Sequence, residues 1–285
     1  MAMRWSVRTS VQALFAGACL AATPLAAADG TDIATTDRPM STAAQMASDG
    51  ETRARPFRTE FGWASRLEGW NVSDFDAGSE VIDTRWYRQN LAVRGGAAHL
   101  SVTPLPVGSR RSFASAELSR ARVTGYGRYE AILRPAEGSG LLTNFFTYTG
   151  PYFGDPHEEI GFGFRGSDTT TVGVHYWTEG GQGTDYRIDL GFDAAAAFHL
   201  YAFEWTPTTL RWYVDGKLVA ETGAGDLPPP TRPAKLYANV WAGTPATENW
   251  LGPIDFAPGA SAEIRCVSYV PMGETGQTCA ERFDR

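Results

Sequence analysis

Five residues at alternating positions, His157, Glu159, Gly161, Gly163 and Arg165, are the part of this sequence best placed to do chemistry. They belong to the run His157-Glu-Glu-Ile-Gly-Phe-Gly-Phe-Arg-Gly. A β-strand's period of two puts them on one face and gives Ile160, Phe162 and Phe164 the other. The second face is a core face. The first carries an imidazole, a carboxylate and a guanidinium with two glycines between them, which is not a pattern for packing. Glycine inside a strand costs roughly 0.5–1 kcal/mol relative to alanine, and two on one face mark a place that something else approaches closely.

The surrounding chain must hold that strand in a sheet. From Phe57 to about Val270 it consists of short alternating runs separated by turn residues. Ala97–Thr103, Ser115–Val123, Gly127–Arg134, Leu141–Thr147, Thr171–Trp177, Tyr186–Leu190 and His199–Trp205 read as strands. Leu210–Glu221 reads as a hairpin turning at Asp215-Gly216, the dipeptide a two-residue turn favours. Only Asp193–Ala197 reads as helical, for about one turn. The pattern predicts an all-β sandwich or barrel over 57–270. No internal repeat is present. Residues 29–56, rich in Thr, Ala, Ser and Asp, read as a disordered leader or linker, Pro228-Pro229-Pro230 as a stiff connection, and 271–285 as a polar tail.

The 285 residues suffice for one large domain or two small ones, and 43% hydrophobic content supports a sizeable core. Nine tryptophans and eleven tyrosines exceed what an average core needs and suit stacking on flat sugar rings or a β-sandwich interior. A net charge of −7 without a basic cluster argues against nucleic acid and does not favour an acidic polysaccharide. Arg4 and Arg8, the apolar run Val11–Ala22 and the small residues Ala26–Ala28 predict a cleaved signal peptide over 1–28 and a secreted or periplasmic protein. The alternative is a lipoprotein acylated at Cys19. That apolar run is too short for a membrane span, and no other segment qualifies. Cys266 and Cys279 then remain, either as a disulfide tying the tail to the last strand or as two free thiols; in an exported chain the disulfide is expected.

Seven stretches taken in order are similar to glycoside hydrolase family 16, the laminarinase and lichenase group of endo-β-glucanases. They are Ser115-Ala-Glu-Leu, Gly125-Tyr-Gly-Arg-Tyr-Glu, Asn144-Phe-Phe-Thr-Tyr-Thr-Gly, Leu190-Gly-Phe-Asp, His199-Leu-Tyr-Ala-Phe-Glu-Trp, Trp212-Tyr-Val-Asp-Gly and Asn239-Val-Trp-Ala-Gly. The resemblance covers about residues 60–270. It implies a concanavalin-like jelly-roll sandwich of two curved antiparallel sheets, with a β-glucan or exopolysaccharide in a cleft on the concave face. It places Glu159 at the nucleophile, Gly161 at a middle aspartate and Gly163 at the general acid/base. By the same resemblance Asp74, Glu117, Phe146, Tyr148, His157, His175, Trp177, Asn239 and Trp241 are substrate-binding positions. His175 and Asp74 replace asparagines, and Ser119 replaces an arginine. His157 is expected to hydrogen-bond or stack rather than bind metal, and His99 and His199 to be structural. Arg265 stands where relatives carry a calcium-ligating aspartate, and no spacing suggests zinc. No metal, no cofactor and a monomer are expected.

A retaining glycosidase needs two carboxyl groups roughly 5–5.5 Å apart, and the acid alone is typically worth about 10²–10⁴-fold. With glycine at two of three positions, ordinary hydrolysis is not expected. Glu158 points away from the cleft, and Arg165 is expected to pair with Glu159 and hold it as an ionised anchor. The leading expectation is a catalytically degenerate glycan binder. The alternatives are an active glucanase or transglycosylase with an unrecognised acid, and a structural protein that keeps only the sandwich.

Overall fold

The computed structural model describes residues 7–8, 54–62 and 67–283. Apart from Val7–Arg8, the leader expected over 1–28 lies outside them, and so does the expected linker apart from residues 54–56. The strands that matter for the site are, in chain order, β1 (Trp70–Val72), β2 (Glu117–Arg120), β3 (Gly127–Arg134), β4 (Leu141–Thr149), β5 (Glu158–Arg165) and β6 (Thr171–Thr178). They continue with β7 (Tyr186–Asp189), β8 (His199–Trp205), β9 (Leu210–Val214), β10 (Lys217–Glu221), β11 (Lys235–Ala242) and β12 (Ser261–Pro271).

Two large antiparallel sheets face each other in a jelly-roll sandwich. The concave sheet runs β7-β6-β5-β4-β11-β2-β1, with Val7–Arg8 on the outer edge of β7 and Gly181–Gln182 against β6. The convex sheet runs β10-β9-β8-β3-β12 and continues through Ala97–Ser101 to Leu91–Arg94. Period-two alternation explains the core between them. Phe145, Ile160, Phe162, Phe164, Val174 and Tyr176 point inward from the concave sheet, and Tyr129, Tyr201, Phe203 and Trp212 meet them from the convex one. Phe162 packs edge-on to Tyr201 at 5.6 Å, so the strand bearing Glu159 is fastened through its back face. Truncating such a ring to alanine costs about 3–5 kcal/mol.

Several boundaries differ from the sequence reading. The run expected over Ser115–Val123 is broken into Phe113–Ser115 and β2, and the buried Ser115 Oγ donates to the carbonyl of Val240 at 2.6 Å. Asp193–Ala197 is a turn, not a helix: the Asp193 carboxylate accepts from the Thr169 hydroxyl (2.6 Å) and the Ala195 N–H (2.9 Å), and so competes with helical bonding. Among the described residues the α-helices are Glu248–Leu251 and Ala280–Phe283. The tail stays on the domain. A disulfide joins Cys266 to Cys279, and Ala280 and Phe283 pack with Ile132 and Leu200 on the convex sheet. Arg265 lies over the Phe198 ring at 3.8 Å.

Candidate active-site cleft

Strand register fixes three rows across the concave face, on the side away from the core. In the first, Glu159 stands between Tyr148 and Trp177. In the second, Gly161 stands between Phe146 and His175. In the third, Gly163 stands between Asn144 and Gly173, and the row continues to Asn239 and Glu117 on one side and Arg187 on the other. Cross-strand neighbours share a face, so these side chains all belong to one surface.

Glu159 is 8% exposed and both of its oxygens are engaged. His175 Nε2 donates to Oε1 at 2.8 Å, and His157 Nε2 donates to Oε2 at 3.0 Å. Burial alone would raise this carboxyl. The hydrogen bonds from His157 and His175, with their electrostatic attraction, outweigh it and hold the pKa down at about 2. The His157 ring also stacks on Trp177, with centroids 4.7 Å apart and planes 4° from parallel. Arg165 does not take part, which corrects the sequence expectation. Six residues of strand separate it from Glu159, about 20 Å at the usual rise, more than a guanidinium can bridge. Glu158 faces the other way: it accepts from the Thr231 and Arg232 N–H groups (3.1 and 2.8 Å) and from Arg232 Nη1 (2.6 Å), pinning the start of β5 to the connection that follows the three prolines.

Gly161 is packed tightly against β4. A Cβ there would lie 2.4 Å from the Cβ of Phe146 and 2.8 Å from the carbonyl oxygen of Phe145. Both are atoms that rotamer changes cannot move, so any side chain at 161 requires the strands to part.

On the β4–β11–β2 side the polar groups complete one another. Ser73 Oγ donates to Glu117 Oε1 (2.7 Å), Asn239 Nδ2 donates to Glu117 Oε2 (2.9 Å), and Asn144 Nδ2 donates to Asn239 Oδ1 (2.9 Å). Burial raises the Glu117 carboxyl, and the bonds from Asn239 and Ser73 partly offset it. Phe146 and Tyr148 are 7% and 2% exposed and pack with Phe153 and Tyr237; Phe146 stacks on Tyr237 at 5.3 Å. Trp241 is buried beside Trp86, Leu142 and Leu251, with Trp250 6.0 Å away. Asp74 stands apart from this network, at 3.4 Å from Arg85.

The fold agrees with comparisons to known proteins. The profile of glycosyl hydrolases family 16 matches residues 79–257. The chain belongs to that family. It is 38% identical to a beta-glucanase of Bacillus subtilis over 184 residues, 64% of this chain and 73% of that protein. It is 37% identical to a beta-glucanase of Paenibacillus macerans over 201 residues, 70% of this chain and 82% of that protein. Among solved structures, a prokaryotic beta-1,3-1,4-glucanase (lichenase) from a mouse hindgut metagenome superposes with a TM-score of 0.71 at 33% identity, over 77% of this chain and all of that one. Bacillus licheniformis beta-glucanase gives 0.69 at 33% identity, over 76% of this chain and 98% of that one.

The cleft thus brings Glu117, Phe146, Tyr148, His157, His175, Trp177, Asn239 and Trp241 onto one face around Glu159. The sequence reading missed four participants: Ser73, Asn144, Asp185 and Arg187. Ile188 and Leu190 alternate as core residues, a signal that would have put Arg187 and its neighbour Asp185 on the cleft face. Asp185 is half-buried one step beyond the Val174–Tyr186 pair, beside His175. Burial raises its carboxyl more than His175 and Arg165 lower it.

Proposed function

We propose that this chain is an exported family 16 protein that binds a β-linked glucan or exopolysaccharide in the concave cleft, with ordinary retaining hydrolysis lost. The observation that carries this reading is the state of β5. It presents one carboxylate, Glu159, ionised and held at both oxygens by imidazoles, and glycine at the two positions where the family resemblance puts the other carboxyl groups. A retaining mechanism requires a second carboxyl group about 5–5.5 Å from the nucleophile to protonate the leaving oxygen. The amide and carboxyl chain from Ser73 to Asn144 supports retained binding, because such groups bind sugar hydroxyls. The apolar run after Arg4 and Arg8 supports export.

Titration calorimetry with laminarin, lichenan and cello-oligosaccharides, run beside an assay of reducing-end release, tests both halves. Binding without release is expected. Absence of binding to every glycan would remove the cleft reading and leave a sandwich kept for structure alone.

A second reading, hydrolysis with a different acid, is favoured by Asp185. It shares the cleft face, and burial keeps its proton to a higher pH than usual, the opposite of Glu159. Register puts the two backbones about 12 Å apart, two strands over and two residues along. That is too wide for the about 5–5.5 Å of a retaining pair, and side chains leaning toward each other would reach the roughly 6.5–9.5 Å of inverting enzymes. Release of reducing ends that disappears in both Glu159→Gln and Asp185→Asn would establish this reading in place of the first.

A further inference from the structure

On the cleft face, β5, β6 and β7 carry an arrangement that a neutral glucan does not need. Arg165 is half-buried and sits opposite Leu142. Its guanidinium makes one long hydrogen bond, Nη1 to the carbonyl oxygen of Trp250 at 3.5 Å. Among the described residues no carboxylate oxygen comes within salt-bridge distance of it. Arg187 projects from β7 opposite Gly173, on the same face. It is anchored, donating from Nη2 to Asp168 and from Nε to Thr171 Oγ1 at 3.2 Å. Burial and the charge of Arg187 both lower the Arg165 pKa, while Asp168 and Asp185 act the other way without cancelling them. Asp185 acts on Arg165 only through its charge, with no ion pair between them, and burial raises its own pKa. Between these groups and Asn144 lie Gly163 and Gly173, which place no side chain on the face. Trp250, whose backbone carbonyl takes that bond, is half-buried, and its ring lies 6.0 Å from Trp241 of the cleft face, an apolar surface of the kind that takes a sugar face.

We propose that this half of the cleft is a subsite for a carboxylate-bearing sugar residue, whose acid group bonds the Arg165 guanidinium while its ring lies against Trp250. The inference rests on the glycan-binding reading of the same cleft and names the class of glycan. The net charge of −7 does not oppose it, since a partly desolvated guanidinium acts over a few ångströms while the remote surface charges are screened. A planar guanidinium takes a carboxylate through two parallel bonds, which a hydroxyl cannot match.

The test is calorimetry on the full chain with two probes: a neutral cello-oligosaccharide and its counterpart of equal length carrying one glucuronate. The acidic probe is expected to bind roughly tenfold to a hundredfold more tightly, with the advantage shrinking at high salt. Arg165→Gln should bring the ratio of affinities to about one, and Arg187→Gln should reduce it. Arg211→Gln, which removes an arginine paired with Glu221 on the convex sheet, should leave the ratio as it was. Equal affinity of the native chain for both probes would overturn the inference while leaving glycan binding intact. So would an acidic preference that survives Arg165→Gln. Failure to bind either probe would overturn the binding reading and this one with it.

Discussion

The two halves of the concave face, built on one sheet a few ångströms apart, obey different rules. Across β4, β11 and β2 the polar groups form a closed chain, Ser73 to Glu117 to Asn239 to Asn144, in which each buried group is satisfied by its neighbour. Across β5, β6 and β7 the face carries three glycines, Trp177, Glu159 held by two imidazoles, and the charges of Arg165 and Asp185, which are only partly matched. The first half is held together by its own bonds. The second spends no side chain on packing at three positions and presents charge instead. Within one sheet, then, a surface whose polar groups satisfy one another lies beside one whose charges are left for something else to meet.

Four measurements can break or sharpen that contrast. The largest effect is expected for Gly161→Ala, since its Cβ would lie 2.4 Å from that of Phe146. Forcing the strands apart should cost about 2–3 kcal/mol in urea unfolding, and a variant as stable as the native chain would refute the close packing. Next is Asn239→Ala, which leaves Glu117 and Asn144 each short of a buried partner; about 2 kcal/mol is expected. It should leave the acid titration of the other half unchanged.

Glu159→Gln comes third and is read against pH. The folded-state pKa of Glu159 is depressed to about 2, from an ordinary 4.5. Its contribution to stability is therefore present above about pH 4.5 and lost as pH falls toward 2. The native chain should lose melting temperature across that window, and Glu159→Gln should lose less of it. Parallel pH profiles would mean that His157 and His175 do not hold an ionised carboxylate. The smallest effect belongs to Asp168→Asn, which removes the partner of Arg187 near the surface. A change within about 0–1 kcal/mol, shrinking with added salt, is expected by thermal melting.

Much of this architecture was legible in the sequence because period-two alternation is a strong signal. β3, β8 and the Asp215-Gly216 hairpin fall at their expected bounds, and the alternation of β5 correctly separates Ile160, Phe162 and Phe164 from the cleft face. What alternation cannot supply is distance along the strand and what lies on top. Pairing Arg165 with Glu159 respected the face and ignored six residues of rise. The ionised state of Glu159 came instead from His157, two residues away, and His175, on the next strand, which only the register of β5 against β6 brings into contact. In the same way Phe146 and Tyr148 occupy the cleft face yet pack against Tyr237 and Phe153, because nothing in a strand's own pattern says which neighbours will cover it.

The placement of β12 has a consequence for how the chain reaches this state. Residues 261–271 form the last strand in sequence, but they lie inside the convex sheet, pairing with β3, with Ala97–Ser101 and with Phe57–Glu60. Each of those pairings closes a loop of well over a hundred residues, the kind of long-range contact that makes β-sandwiches slow to form. No intermediate of chain growth can complete the convex sheet before the C-terminal strand arrives. Under the export proposed above, this timing would keep the chain open to threading through a translocation channel. The sandwich cannot lock into its final shape until residues 261–271 have been made, and Cys279, later still, can be joined to Cys266 only once that strand is available.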